Sequence, residues 1–237
     1  MRLAPSLHRI GNDIVASYLI VTPEGITLVD AGLPGMYADL RREVDAIGRS
    51  LDDIRGVILT HGDSDHVGFA ERLRREHGVP VFVHAADADR ARGGDKPKSA
   101  MGPFRLGPLL SFAAFGIRKG MRPQWLTEVR EVADGETLDL PGSPRIVGMP
   151  GHSPGSVAVF SPEVRAVFVG DALTTRHVLT GRTDPGPAPF TDDPAEALAS
   201  LDRLAGLDAD WVLPGHGPAF RGSPAEAADA VRKVARG

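Results

Sequence analysis

The chain has 237 residues, of which 42% are hydrophobic and 24% charged, and its formal net charge is −4 at pH 7. This composition is typical of a globular protein with a sizeable core, and the weak negative charge gives no global attraction to nucleic acid. There are no cysteines. Disulfides, thiolate zinc sites, iron–sulfur clusters and a cysteine nucleophile are therefore excluded, so any metal must be held by histidine and carboxylate.

The amino terminus gives no indication of export. Residues 1–13 lack the apolar core of a signal peptide. The longest apolar stretch, at 106–117, is too short and too interrupted to span a bilayer, which takes about 20 apolar residues. We therefore expect a soluble, cytoplasmic protein with no membrane span.

The first half of the chain alternates predicted strands and helices. Apolar and β-branched runs predict strands at 14–21, 26–30, 57–60 and 79–83. Apolar residues recur at helical spacing over 37–47, and Gly48 then provides a helix end. A second helix is predicted over 67–77, closed by Gly78.

The second half continues with strands predicted at 129–132, 137–140, 145–149, 157–161, 166–169 and 211–213. A helix over 194–204 has Asp193 as its N-cap and Glu196 as the capping partner. The same pattern, Ser223 followed by Glu226, precedes the last predicted helix. Because strands and helices mix too irregularly for a parallel βαβ series, we predict an α/β fold with two stacked sheets flanked by helices.

Histidine and aspartate residues directly follow four of the predicted strands, often after a glycine. A strand fixes direction and a glycine lets the backbone turn sharply, so the next side chain can point across the sheet edge. Zinc, iron and manganese accept imidazole and carboxylate together, and paired catalytic metals lie about 3.5–4 Å apart. The candidate metal ligands are His61, Asp63, Asp65, His66, His152, Asp171 and His216.

These segments resemble the metallo-β-lactamase superfamily, with its glyoxalase II and lactonase-like hydrolases. The matching stretches are Thr60-His61-Gly62-Asp63-Ser64-Asp65-His66, Gly151-His152-Ser153-Pro154-Gly155-Ser156, Gly170-Asp171 and Pro214-Gly215-His216-Gly217, preceded by Thr27-Leu28-Val29-Asp30-Ala31-Gly32. A single His-Gly pair is weak evidence, whereas four motifs in the family's order are strong. The similarity runs from about residue 10 to about residue 220.

The resemblance implies a four-layer αβ/βα sandwich with the site in the cleft between two mixed sheets. It assigns one metal to His61, Asp63 and His152, a second metal to Asp65, His66 and His216, and the bridge between them to Asp171. A hydroxide bridging the metals would attack an ester, thioester, lactone or phosphodiester, since metal-bound water reaches a pKa of about 7. Asp65 receives a catalytic role as well, orienting the hydroxide and moving a proton.

Asp63 departs from the family's usual His-x-His-x-Asp-His motif, in which a second histidine stands at this position. An anionic oxygen ligand favours iron or manganese more than imidazole does, so zinc is expected as the main ion without being exclusive. The alternative is that Asp63 only caps the helix that begins near Asp65. Asp30 is expected to bond loop amides near the site rather than metal.

Residues 88–125 lie where this family often inserts variable, substrate-facing elements into the single domain expected over 1–237. An apolar helix is predicted from Pro108 to near Gly120, and eight Lys or Arg oppose one acid over 90–122. Such a lid would offer apolar contact and positive charge to an acyl or anionic substrate; alternatively, the helix packs on its own domain or on the second copy of a homodimer. The candidate substrate contacts are Phe112, Phe115 and His177.

The sequence therefore predicts a metal-dependent hydrolase acting on a small molecule. Two alternatives stay open: a non-haem iron oxygenase of the same fold, similar to persulfide dioxygenases, and a non-catalytic metal-binding protein. Zinc would favour hydrolysis, whereas one iron with open positions would favour oxygen chemistry. The complete ligand set argues against a binding protein, and without an added RNA- or DNA-binding module no nucleic acid partner is expected.

Overall fold

Two β-sheets form the centre of the molecule. The computed structural model describes residues 1–94, 99 and 101–235. The first sheet has its strands in sequential order, antiparallel from β1 to β4 and parallel from β4 to β7. These strands are β1 (Arg2–Ala4), β2 (Leu7–Gly11), β3 (Ala16–Thr22), β4 (Gly25–Val29), β5 (Ile54–Ile58), β6 (Val81–His84) and β7 (Arg130–Val132).

The second sheet runs in the order β12-β11-β10-β9-β8. Its β10–β11 pair is parallel, and its other pairs are antiparallel. The strands are β8 (Arg145–Gly148), β9 (Val157–Ser161), β10 (Ala166–Gly170), β11 (Trp211–Pro214) and β12 (Phe220–Arg221). Because β10 and β11 point the same way, the residues that follow them emerge at one edge of the sheet.

Helices cover the outer face of each sheet. They are α1 (Tyr37–Ala46), α2 (Ser64–Val67), α3 (Ala70–His77), α4 (Ala88–Ala91), α5 (Leu106–Lys119), α6 (Pro194–Ser200) and α7 (Pro224–Ala235). The predicted cap of α7 is confirmed: the Ser223 N–H donates to Glu226 Oε2 at 2.8 Å, and the Glu226 N–H donates to Ser223 Oγ at 3.2 Å. No helix in the described residues has the length and apolar character needed to cross a membrane.

Buried side chains fall into three clusters that match the layers. One lies between the first sheet and its helices and includes Leu40 and Leu73. A second lies between the two sheets, where Ile58 and Phe168 meet. The third lies between the second sheet and its helices and includes Val231. Each such side chain contributes about 1.5–3 kcal/mol on burial, and the predicted layering of helix, sheet, sheet and helix is confirmed.

Two predicted elements differ from the structure. Residues 137–140 do not form a strand, since Thr137 makes only an isolated bridge with Arg145 and Pro141 then supplies no N–H for a ladder. The helix predicted over 67–77 is divided into α2 and α3 at Gly68, whose φ is +28°. A Cβ at Gly68 would lie 1.9 Å from the carbonyl oxygen of Gly32, so only glycine allows the two backbones to cross there.

The start of α6 is attached to the loop that follows β8. Asp193 is the N-cap as predicted, and its Oδ1 accepts from the N–H groups of Ala195 and Glu196 at 3.0 and 2.9 Å. Glu196 is not the reciprocal partner, because the Asp193 N–H donates to the carbonyl of Gly151 at 2.8 Å. This bond places the helix start beside His152.

Candidate metal centre

Asp30 organises the loop that leaves β5. Its backbone has a φ of +60°, and its Oδ1 accepts from the Thr60 N–H at 2.8 Å. The Thr60 hydroxyl donates to Asp30 Oδ2 at 2.9 Å, and the same oxygen lies 2.8 Å from His66 Nδ1. The prediction that Asp30 bonds loop amides is confirmed, and its carboxylate also orients one of the candidate ligands.

All four candidate histidines use Nδ1 for an outer hydrogen bond. The partners are Thr60 Oγ1 for His61 (3.1 Å), Asp30 Oδ2 for His66 (2.8 Å), Thr191 Oγ1 for His152 (3.2 Å) and the Ile14 carbonyl for His216. The two threonine hydroxyls give their protons to Asp30 and to the Ala188 carbonyl, so each accepts from the neighbouring ring. Every Nδ1 is therefore a donor, which leaves each Nε2 as the ligand atom.

These Nε2 atoms all face acidic side chains, Asp63 or Asp171. Within the described residues, Nε2 of His61, His66 and His152 and Oδ1 of Asp171 are buried without a hydrogen-bond partner. Buried polar atoms are almost always paired, so unpaired atoms that face one another indicate a ligand. The unpaired atoms thus mark a place for a cation.

Two groups of side chains could each hold a metal ion, and within each group the ligand atoms lie within 4.8 Å of one another. The groups are His61, His152 and Asp171, and Asp65, His66 and His216. Asp171 lies between them: its Oδ1 is 3.6 Å from His66 Nε2, and its Oδ2 is 3.8 Å from His152 Nε2 and 3.2 Å from His216 Nε2. Tetrahedral ligands at about 2.0–2.1 Å from an ion are roughly 3.3 Å apart, so the donor set fits a divalent metal.

Asp63 lies outside both groups but faces the first of them. Its Oδ2 is 3.5 Å from His152 Nε2 and 3.9 Å from His61 Nε2. It occupies the N-cap position of α2, yet its side chain makes no capping bond. Instead, Arg90 donates to Asp63 through Nε and Nη2 at 2.7 and 2.9 Å.

Electrostatic effects favour a positive charge on the rings of His66 and His216 and oppose one on the ring of His61. Burial lowers the pKa of His66, but Asp30 and Asp171 outweigh it and raise that pKa to about 10. Burial likewise opposes protonation of His216, whose pKa Asp171 and Asp65 raise to about 9. Burial and the nearby rings of His66 and His152 lower the pKa of His61 well below its ordinary value.

Asp171 stays ionised although it is buried. Burial raises its pKa, but the rings of His216, His66 and His152 outweigh that effect and hold it well below its usual range. A buried carboxylate of this kind is a strong ligand for a cation.

One residue that the sequence analysis missed joins the ligand loops of the two sheets. Asp87 is fully buried. Its Oδ2 accepts from the Gly62 N–H at 2.8 Å and from the Ser153 hydroxyl at 2.6 Å, and its Oδ1 accepts from the Gly155 N–H at 2.7 Å. No motif marks Asp87, because its partners lie in other segments of the chain.

A cavity of about 340 Å³ opens onto the ligands. Its polar wall includes Asp63, Asp65, His152, Asp171 and His216, and its apolar wall includes Val15, Leu33, Phe112, Phe115, Met121, Val178 and Phe190. Among the described residues that line it, none is Lys or Arg. The structure therefore brings Phe112 and Phe115 to the candidate site, and the part of the described lining beyond the candidate ligands is mainly apolar.

The other predicted substrate contacts lie elsewhere. His177 lines a neighbouring cavity of about 380 Å³, which shares Asp171, Pro189 and Phe190 with the first. Lys119 pairs with Asp39 at 2.7 Å, and Arg118 lies over the Phe115 ring, 5.5 Å from its centroid, beside a different cavity. Of the basic run, Lys96 and Lys98 lie outside the described residues.

Several known proteins are similar to this chain in sequence or in fold. Probable metallo-hydrolase YflN of Bacillus subtilis is 27% identical over 231 residues, which cover 90% of this chain and 84% of that protein. Hydroxyacylglutathione hydrolase GloC of Haemophilus influenzae is 31% identical over 169 residues, covering 70% and 69%. The structure of a metallo-beta-lactamase family protein from Thermus thermophilus superposes with a TM-score of 0.70 at 24% identity, covering 99% of this chain and 81% of that one.

The sequence model of the metallo-beta-lactamase superfamily matches residues 10–216, a range that contains all seven candidate ligands. The fold, with its two mixed sheets, is that of the structural relatives. The chain belongs to the metallo-β-lactamase superfamily.

Proposed function

We propose that the protein is a two-metal hydrolase, expected to hold zinc, that cleaves an ester, thioester or lactone with an apolar acyl group. The observation that carries this proposal is the cluster of buried, unpartnered Nε2 and carboxylate oxygen atoms beside a cavity whose remaining lining is mainly apolar. Relatives whose names describe them as a metallo-hydrolase and a hydroxyacylglutathione hydrolase support the reaction class.

The ligand assignment starts from the two groups of side chains and adds Asp63, whose Oδ2 faces His152 and His61 of the first group. His61, Asp63 and His152 would hold one ion, and Asp65, His66 and His216 the other, with Asp171 shared between them. When bound, such ions acidify water and polarise the oxygen of the group under attack. The outer hydrogen bonds of the four rings keep each Nε2 directed at the ions.

Asp65 is the residue proposed to orient the attacking hydroxide and to transfer a proton during the reaction. It is the most accessible of the candidate ligands, with 22% of its side chain exposed, and it lines the cavity. Its Oδ2 is 3.5 Å from His216 Nε2, which leaves the other oxygen available to a water or a leaving group. A positioned carboxylate in this role contributes about 10²–10⁴-fold to rate.

The cavity favours a neutral substrate over an anionic one. A phosphodiester carries charge throughout the reaction and is usually bound by Arg or Lys. Here the cavity wall beyond the candidate ligands is built mainly from aromatic and aliphatic side chains, and Lys119, which pairs with Asp39, is not part of it. An apolar acyl chain fits this wall, so phosphodiesters are expected to be the poorest of the four substrate classes.

A substrate screen on metal-reconstituted protein tests the proposal. Acyl esters, thioesters, lactones and a phosphodiester are compared side by side, with metal content measured by elemental analysis. Acyl substrates should be cleaved best, and Asp65→Asn should lower kcat at least about a hundredfold while keeping the metals, since the amide retains an oxygen but accepts no proton. Dominant phosphodiester cleavage would overturn the substrate class, and oxygen consumption with a single iron would overturn hydrolysis.

A further inference from the structure

Arg90 forms a bidentate hydrogen-bonded ion pair with Asp63, the aspartate that stands where the family's usual motif has its second histidine. It lies in α4 and is 7% exposed. Its Nε and Nη2 donate to the two oxygens of Asp63 at 2.7 and 2.9 Å. This parallel pair of bonds is the strongest geometry that an arginine and a carboxylate can adopt.

The contact leaves Asp63 directed at the first ligand group. A carboxylate oxygen has two lone pairs. The guanidinium approaches Asp63 Oδ2 from one side, and Nε2 of His152 and His61 lie 3.5 and 3.9 Å from the same oxygen. These distances are close to the roughly 3.3 Å spacing of two ligands on one ion. One oxygen can thus serve both the arginine and a metal.

The charges at this site also favour a pairing of Asp63 with Arg90. A histidine ligand is neutral, whereas aspartate adds one negative charge to a site that already contains Asp65 and Asp171. Uncompensated buried charge is costly, and the guanidinium is permanently protonated. The Asp63–Arg90 pair is therefore neutral, as a histidine ligand is, and Asp192, which also contacts Arg90, gives the cluster of three one negative charge.

Asp192 holds the arginine in place. Its Oδ2 accepts from Arg90 Nη1 at 2.7 Å, and its Oδ1 accepts from the Ser99 hydroxyl at 2.5 Å. The Asp192 N–H donates to the carbonyl of His152 at 3.2 Å. The guanidinium consequently connects Asp63 of the first sheet to the segment that carries His152 of the second.

We propose that Arg90 is a positioning residue for the first metal site, and that Asp63 and Arg90 act together as a neutral substitute for a histidine ligand. This inference rests on the proposed two-metal function. It makes a specific claim: removal of Arg90 weakens the site only when the ligand is aspartate.

A double-mutant cycle tests that claim with metal affinity rather than activity as the readout. Zinc stoichiometry and affinity are measured by elemental analysis and chelator competition for wild type, Arg90→Met, Asp63→His and the double variant. Arg90→Met should weaken the first zinc at least tenfold in the wild type. In the Asp63→His background the same substitution should leave zinc affinity unchanged or raise it, because no carboxylate remains for the guanidinium to neutralise.

Two further variants separate charge from packing. Arg90→Lys keeps the positive charge but cannot form the two parallel hydrogen bonds to Asp63, so its zinc affinity should lie between those of wild type and Arg90→Met. Arg92→Met is the matched control, since Arg92 lies two positions further along the chain and its side chain makes a partly exposed contact, 3.7 Å from Glu131. It should bind zinc as the wild type does.

The outcomes distinguish this inference from the function on which it rests. If Arg90→Met weakens zinc equally in both backgrounds, Arg90 is only a packing residue and the inference is wrong. If Asp63→Ala binds two zinc ions as tightly as wild type, Asp63 is no ligand and the inference again fails, while the two-metal function stands. If the wild type binds no metal at all, the proposed function fails first and the inference with it.

Discussion

Asp171 is the residue proposed to bridge the two metal ions. Its two oxygens face different rings: Oδ1 lies 3.6 Å from His66 Nε2, and Oδ2 lies 3.2 Å from His216 Nε2. Two cations about 3.5–4 Å apart repel each other strongly. An anionic side chain between them offsets that repulsion, so its charge matters more than its shape.

We expect Asp171→Asn to lose metal although it preserves the size of the side chain. The amide keeps one oxygen ligand and gives up the negative charge, so the second metal should bind at least tenfold more weakly. Elemental analysis after dialysis should then show occupancy falling toward one ion. Asp193→Asn, at an exposed N-cap, is the control and should keep both ions. Two ions bound with wild-type affinity in Asp171→Asn would show that Asp171 is not the bridge.

The sequence predicts well which candidate ligands meet at the site, because most of them follow a strand or a glycine that dictates their direction. It predicts poorly the residues that hold those ligands. Arg90 lies 27 positions from Asp63 and is recognised only as part of a basic run, and Asp87 matches no motif. Such partners are selected by the three-dimensional path of the chain, so pattern and spacing carry no information about them.

Helix α5 both packs on its own domain and faces the cavity, the two possibilities that its sequence allows. Phe115 belongs to the buried cluster beneath the first sheet and also lines the cavity. Phe112 lines the cavity without belonging to that cluster. Leu110 and Ile117 lie on the solvent side, 58% and 76% exposed. We propose that residues 88–125 serve as a lid whose two phenylalanines differ in function.

Substitution of the two phenylalanines should separate these functions. Phe112→Ala should raise KM for an apolar acyl substrate about tenfold, a loss of about 1.4 kcal/mol, with little change in Tm. Phe115→Ala should also lower Tm, by roughly 6–12 °C, because truncating a core phenylalanine costs about 3 kcal/mol or more. Metal content should be unchanged in both. An unchanged KM in Phe112→Ala would refute the lid.

Element boundaries are where the sequence patterns fail. The periodicity over 67–77 is helical, but Gly68 lies so close to Gly32 that the helix is interrupted. Leu138 and Leu140 alternate like a strand, yet only Thr137 pairs, and only through one bridge. At Gly68 a contact with a distant segment outweighs local propensity, whereas after residue 140 a proline without an N–H ends the pattern.

In the molecule as a whole, loops from both sheets contribute candidate ligands to one site. β5 precedes His61, Asp63, Asp65 and His66, whereas β8, β10 and β11 precede His152, Asp171 and His216. The irregular mixture of strands and helices predicts two stacked sheets flanked by helices, since each layer needs a buried face, and the family resemblance implies the four-layer order. The sequence patterns miss β1 and β2, because these short strands at one edge of the first sheet have too few apolar residues to form a recognisable alternation.

The carboxylate of Asp87 has a consequence for hydrogen exchange. The amides of Gly62 and Gly155 lie in loops, where exchange with solvent is usually fast, yet both are bonded to this one buried group. They should therefore exchange slowly and at similar rates, since the same opening event exposes both to deuterium. In Asp87→Ala both amides should exchange faster together, while the amide of Leu28 in β4 keeps its protection. If only one amide changes, the two loops open separately; joint loss of protection shows that a single side chain makes the two halves open as one unit.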